Sequence, residues 1–210
     1  MKTLKTLVSS ALTAIVLSTT VFTSFAAEVK QPFELSASHA DIKKVILTGN
    51  VRVFLVQSRN ESVVVAGEYP SEDLSIEQTG NALRIASKSN IPVTVTVYVK
   101  DLFRIDACDK AVVKTSGKFN VKFLQVMLRG NAVARIKTTT ESIYTVTDDN
   151  AQLELLGTTA QHIVKTSGGS VLNTEKFAAL KTERSTDQSV AMNADKTENV
   201  IKAAAKTGSR

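Results

Sequence analysis

Apolar and polar residues alternate with a period of two over much of this chain. The run PVTVTVYV (92–99) places Val at every second position, with Thr and Tyr between, as a strand with one buried face requires. VILTGNVRVFLVQ, the polar SRNE and then SVVVAGEY read as two strands of a hairpin. LSIEQ and ALRIAS flank Thr79-Gly80-Asn81, a turn triplet between two alternating runs. No long helical period interrupts the pattern, and Trp is absent. The expectation is an all-β protein, opening with an antiparallel segment over about residues 42–100.

After Asp101 the pattern acquires a longer period. DKAVVKT (109–115), GNAVARI (130–136), DNAQLEL (149–155), GGSVLNT (168–174) and DQSVAMN (187–193) begin 21, 19, 19 and 19 residues apart. Each opens on Asp or Gly and reaches Ala or Ser just before a strand. A unit of this length cannot bury its own apolar face and must stack on its neighbours, which predicts a β-solenoid of five or six coils over about residues 101–208. A leucine-rich repeat has a similar period, but its ordered leucine ladder is missing.

In a parallel stack, equivalent residues sit about 4.8 Å apart, so side chains of one type form ladders. Asp109, Gly130, Asp149, Gly168 and Asp187 form the expected turn ladder, since Gly tolerates positive φ and Asp satisfies nearby backbone donors. Lys110, Asn131, Asn150, Gly169 and Gln188 complete the corner. Ala111, Ala132, Ala151, Ser170 and Ser189 would point inwards, as would Val113, Ala134, Leu153, Leu172 and Ala191. Lys114, Arg135, Glu154, Asn173 and Met192 would face solvent. Between the inner columns runs an outward stripe, Val112, Val133, Gln152, Val171 and Val190, more apolar than a solvated face needs. It is either an interaction surface or the seat of a loop or terminus of the same chain. Second strands are read in LFRI, KFLQVML, SIYTV, HIVK and FAALK. ENVIKAAAKTGSR would be a last, incomplete coil shielding an open edge.

Composition narrows the setting. Lys2 and Lys5 precede an apolar run from about Leu7 to Phe22, and Ser24 and Ala26 supply a small-x-small site, so residues 1–26 read as an export signal. No Cys follows that site, which argues against lipid attachment. The remaining 27–210 fits one domain. Removing Lys2 and Lys5 leaves 24 basic residues against 20 acidic ones, interleaved and without an arginine run, so nucleic acid is not an expected partner. Cys108 is the only cysteine and is expected to be a buried, unreactive thiol.

Candidate chemistry is thin. Asp109 and Asp149, two coils apart at about 9.6 Å, would overlap the carboxylate spacing of inverting glycosidases, but corner capping accounts for them without catalysis. Asp106, Asp109, Asp148 and Asp149 offer hard oxygens for calcium, yet SGGS (167–170) is only a fragment of a calcium-binding repeat. His39 and His162 stand far apart in sequence, with no spacing for zinc or a triad. No catalytic residue, metal or cofactor is expected.

With the export signal, ILTGNVRVFLVQ and SVVVAGE, LSIEQTGNALRIAS, and PVTVTVYVKDLFRIDACDKAVVKTSG with the coils that follow, the chain resembles the family called putative auto-transporter adhesin, head GIN domain, from about Ile42 to Gly208. The resemblance implies an exported right-handed parallel β-helix or related β-solenoid of the bacterial envelope; it carries no binding residues with it. No barrel, sorting tail or lipid signal follows the coils, so a complete autotransporter is not expected. The function expected is non-enzymatic binding of glycan or an envelope protein through the coil faces at the cell surface, in the periplasm or after secretion. A polysaccharide-processing enzyme using corner carboxylates and a self-associating scaffold are the alternatives.

Overall fold

A computed structural model describes residues 41–66 and 72–185. Among these residues there are twelve β-strands and no helix: β1 (Lys44–Gly49), β2 (Val51–Gln57), β3 (Ser62–Ala66), β4 (Leu74–Thr79), β5 (Ala82–Ser87), β6 (Val93–Val99), β7 (Arg104–Ala107), β8 (Val112–Ser116), β9 (Phe123–Leu128), β10 (Val133–Thr147), β11 (Gln152–Thr166) and β12 (Val171–Arg184). All belong to one sheet, curled into an open half-barrel.

Register shows how the sheet is built. β10 lies parallel to β11 along its length with Val133 beside Gln152, and β11 places Gln152 beside Val171, a step of 19 residues per strand. Earlier pairs step by 21, Val112 to Val133 and Arg104 to Gln125. Strands entering a corner and strands leaving it share the same step, so corners must lie over corners. Parallel neighbours need a long return path, and the 19 to 21 residues between paired positions supply it.

Parallel stacking reaches further towards the N-terminus than the repeat suggested. β1 pairs with β7 and β2 with β8, both parallel and both 60 residues apart, so β1, its corner and β2 form a rung on the same stack. β5 and β6 add another beyond it, again parallel. The expected separate antiparallel segment is therefore corrected: only β3 with β6 and β4 with β5 run antiparallel. The β4–β5 hairpin turns through Gly80 and Asn81, with Gly80 at φ 58°. No β2–β3 hairpin forms, because β6 lies between them. Val93, Val95, Val97 and Val99 are all buried, and insertion between two strands satisfies both backbone edges of β6 while keeping that apolar face inside.

The core runs through the stack. In β10, Ala134, Ile136, Thr138 and Thr140 are buried in strict alternation, and the phase then shifts so that Ile143, Thr145 and Thr147 are inside. That shift bends a single 15-residue strand around the core without turning its buried side outwards. β11 makes the same change between Thr159 and His162. Gly157 at this bend has φ 107°, and a Cβ there would stand 2.0 Å from the Thr138 carbonyl oxygen, so only glycine fits.

Candidate functional site

Each corner is a four-residue turn closed by an N–H to carbonyl bond three residues back: Ala111 to Cys108, Ala132 to Arg129, Ala151 to Asp148 and Ser170 to Ser167. Its second residue is left-handed throughout, with φ 61° at Asp109, 68° at Gly130, 60° at Asp149 and 63° at Gly168. This conformation favours Gly and is tolerated by Asp. The carboxylates do further work. Gly49 N–H donates to Asp109 Oδ2 at 3.0 Å, and Gly130 N–H donates to Asp149 Oδ2 at 2.9 Å, so each Asp caps the glycine amide one rung earlier. Both aspartates whose spacing overlapped that of an inverting glycosidase thus hold backbone donors. Asp187 lies outside the described residues.

The other acidic side chains are similarly engaged. Asp106 is clamped by Arg104 at 2.8 Å and Arg129 at 3.3 Å, and Asp148 accepts from the Ser167 hydroxyl. Among the described residues no group of three or more His, Cys, Asp or Glu side chains is placed to hold a metal ion. Cys108 is half-buried rather than buried, because its corner brings Sγ to 3.5 Å from the Thr48 hydroxyl at the edge of solvent.

Beside the corner, the pairings bring Val112, Val133, Gln152 and Val171 side by side on four consecutive strands. Their small inward neighbours Ala111, Ala132 and Ala151 are fully buried, so the pleat turns this column outwards. Exposure rises along it, from half-buried Val112 to Val133 at 36% and Val171 at 56%. The next outward column is polar, with charged Lys114, Arg135 and Glu154 followed by the neutral Asn173, and Arg135 Nη1 and Glu154 Oε2 2.8 Å apart. The two columns line a shallow groove. In the other direction the stripe continues onto Arg52 and Thr94, where it ceases to be apolar. Val190 lies outside the described residues.

The Gly49-Asn50 rung escaped the sequence reading. TGN at 48–50 echoes RGN at 129–131, but the intervening excursion through β3 to β6 stretches the step to 60 and hides the period.

A second concavity lies at the C-terminal end of the stack, lined by His162, Val164, Leu172, Phe177, Ala179 and Arg184 among others. His162 is buried, its Nε2 lies 2.9 Å from Thr145 Oγ1, and its ring meets Phe177 edge-on at 5.5 Å. Burial, reinforced by the nearby Arg184 guanidinium, pushes its pKa down from 6.5 to about 4. His39 lies outside the described residues.

The sequence model for "Putative auto-transporter adhesin, head GIN domain" matches residues 41–208. Among solved structures, a "putative adhesin" from Bacteroides fragilis NCTC 9343 is similar with a TM-score of 0.59 at 13% identity, over 69% of this chain and 71% of that one. A "putative lipid binding protein" from Parabacteroides distasonis ATCC 8503 gives a TM-score of 0.53 at 15% identity, over 70% of this chain and 75% of its own. At these identities the likeness concerns the fold alone. No curated protein matches the chain.

Proposed function

The chain belongs to the family described as putative auto-transporter adhesin, head GIN domain, and from that membership we propose an exported, non-enzymatic binding module of the cell envelope, a right-handed parallel β-solenoid in form, that docks a protein partner on its outer face. The observation that carries this reading is the column Val112–Val133–Gln152–Val171, solvent-facing and in register beside Lys114, Arg135 and Glu154. An apolar strip with a charged margin matches the core and rim of a protein interface. The corner carboxylates support a non-enzymatic role, since capping already accounts for their positions. Export to the periplasm, cell surface or medium rests on the basic and apolar pattern of residues 1–26 together with the family.

Glycan binding is the second reading, favoured by exposed Phe103, just ahead of β7, and exposed Phe123, the first residue of the neighbouring β9, whose rings would face sugars. The two are separated by a pull-down from envelope fractions run beside a glycan array, each with the unaltered chain and with Val133→Lys plus Val171→Lys. Capture that falls at least about tenfold in the double variant is the expected result, one buried contact being worth 1.4 kcal/mol or more. Array signal that survives in the double variant assigns binding to the glycan face. Blanks in both assays at micromolar protein overturn the binding proposal, and a concentration-dependent oligomer lost in the double variant replaces it with a scaffold.

A further inference from the structure

Charge is distributed differently on the two sides of the corners. Along the strands that enter them, β1, β7 and β9, cations meet carboxylates: Lys43 Nζ stands 3.1 Å from Asp101, Asp106 lies between Arg104 and Arg129, and Lys122 Nζ is 3.6 Å from Glu141. Along the strands that leave them, β2, β8 and β10, Arg135 is paired with Glu154, but Arg52, Lys110 and Lys114 are exposed and have no acidic partner among the described residues. These three cations gather at one end of the valine column. Arg52 is in register with Val112, while Lys110 and Lys114 stand two residues before and after it.

Resting on the reading that this groove docks a protein, we infer that its partner is an acidic, extended segment in the polyproline-II conformation. It lies along the stack, seats apolar side chains three residues apart on Val133 and Val171, and brings carboxylates to Arg52, Lys110 and Lys114. Charge complementarity supports the acidic character, since cations left without partners on the free surface gain them on docking. Spacing supports the conformation. Val133 and Val171 are separated by two strand spacings, about 9.6 Å, with Gln152 between them. A polyproline-II chain rises about 3.1 Å per residue, so every third side chain recurs at about 9.3 Å. A β-strand repeats a face at about 6.7 Å and falls out of step, while an α-helix, about 10 Å across, is wider than the gap of about 6.7 Å between the two columns.

Gln152 completes the match. Its exposed amide stands between the two valines, where it can bond a backbone that makes no internal hydrogen bonds. The groove itself runs along the stack, from Lys114 past Val133 and Gln152 to Val171. A bilayer fits less well, because the valines are shorter than the cations beside them and the exposed rings of Phe103 and Phe123 belong to the entering side.

The test titrates residues 27–210 with a fluorescent peptide of repeating Val-Glu-Pro, beside the same peptide with Lys for Glu and one of repeating Val-Glu-Pro-Pro. Saturable binding of the first is expected, with the other two at least about tenfold weaker. Losses of at least about tenfold are also expected in Arg52→Gln plus Lys110→Gln plus Lys114→Gln, and in Val133→Ser plus Val171→Ser. No saturable binding of the first peptide at about millimolar concentration would overturn the inference. Equal affinity for the Lys peptide would overturn the acidic character, and equal affinity for the four-residue repeat the conformation. Phosphatidylglycerol vesicles retained by the unaltered chain but not by the triple variant, without peptide binding, would assign the cations to a membrane instead. Envelope capture that needs Val133 and Val171 but is unchanged in the triple variant would overturn the acidic partner and leave protein docking in place. Loss of capture in the triple variant alongside the valine variant supports both.

Discussion

The two ends of the stack are built on different principles. At the N-terminal end, β3 and β4 reverse direction and pair antiparallel with β6 and β5, so the outermost strands break the parallel register. The rungs beneath are filled by hydrocarbon: Val45 lies beside Leu83 and Ile105, and Leu47 beside Ile85 and Ala107, all fully buried. Towards the C-terminal end the same inward columns turn polar. Val126 gives way to Thr145 and Leu128 to Thr147, while Leu124 is followed by Ile143, His162 and Thr182. Polar groups here are paired, buried His162 with Thr145, buried Thr140 with Thr159 at 2.9 Å, and half-buried Ser170 with the Thr147 carbonyl at 3.0 Å. One end is specified by packing and the other by hydrogen bonds, whose loss in a buried setting costs more than a neutral contact.

Backbone crowding should override this difference. Gly49 at φ 80° and Gly157 at φ 107° would place a Cβ 1.9 Å from the Ser87 oxygen and 2.0 Å from the Thr138 oxygen respectively. Gly49→Ala and Gly157→Ala are expected to cost at least about 3 kcal/mol each in urea unfolding, one at either end. Gly80→Ala, whose Cβ would meet nothing within 4 Å, should cost about 1 kcal/mol.

Core truncation should separate the ends. Leu47→Ala, at a fully buried position, is expected to lose about 3 kcal/mol, whereas Leu172→Ala, half-buried in β12, should lose about 1 kcal/mol. Equal losses in urea midpoints would erase the distinction.

Acid should act on the C-terminal end through His162. The unfolded imidazole takes up its proton near pH 6.5, the folded one only near pH 4. Between those values the unfolded state holds more protons, so stability falls as pH falls from 6.5 towards 4, by about 1–3 kcal/mol. His162→Gln should remove this component, so the stability advantage of the unaltered chain over the variant shrinks as pH drops through that window. A parallel pH dependence in the two proteins would contradict the assignment.

The smallest effect belongs to the corner. Asp149→Ala removes the cap on the Gly130 amide and is expected to cost about 1 kcal/mol, read from the thermal midpoint, with Asp109→Ala similar through Gly49.

Much of the strand pattern could be read from residues alone. Alternation in PVTVTVYV and the return of Ala132 at Ala151 reflect a period of two and a period of 19, both imposed locally by pleat and rung. Order along the stack was not legible in the same way. Nothing in β5 or β6 announces that they lie outside β1 and β2, since strands of equal apolar content can exchange places without altering their own patterns. The turn polar residues SRNE suggested a β2–β3 hairpin for the same reason, because a turn signal does not say which strand will intervene. His162 gave no sign of its setting: a lone imidazole between Gln161 and Ile163 reveals burial only once Thr145 and Phe177 are seen around it. For the outward stripe, the residues set the column but not its neighbours, and Arg52 entered only through a step of 60.

The central claim is that residues 19 apart stack along the outer face as one column. Disulfide formation in a Cys108→Ser background tests it directly. Adjacent parallel strands lie about 4.8 Å apart, within bridging range, and two strand spacings, about 9.6 Å, lie outside it. Val133→Cys with Gln152→Cys should therefore oxidise to an intrachain disulfide, while Val133→Cys with Val171→Cys should remain reduced in the monomer. Bridging of the second pair but not the first would contradict the stacking on which the proposed binding face depends.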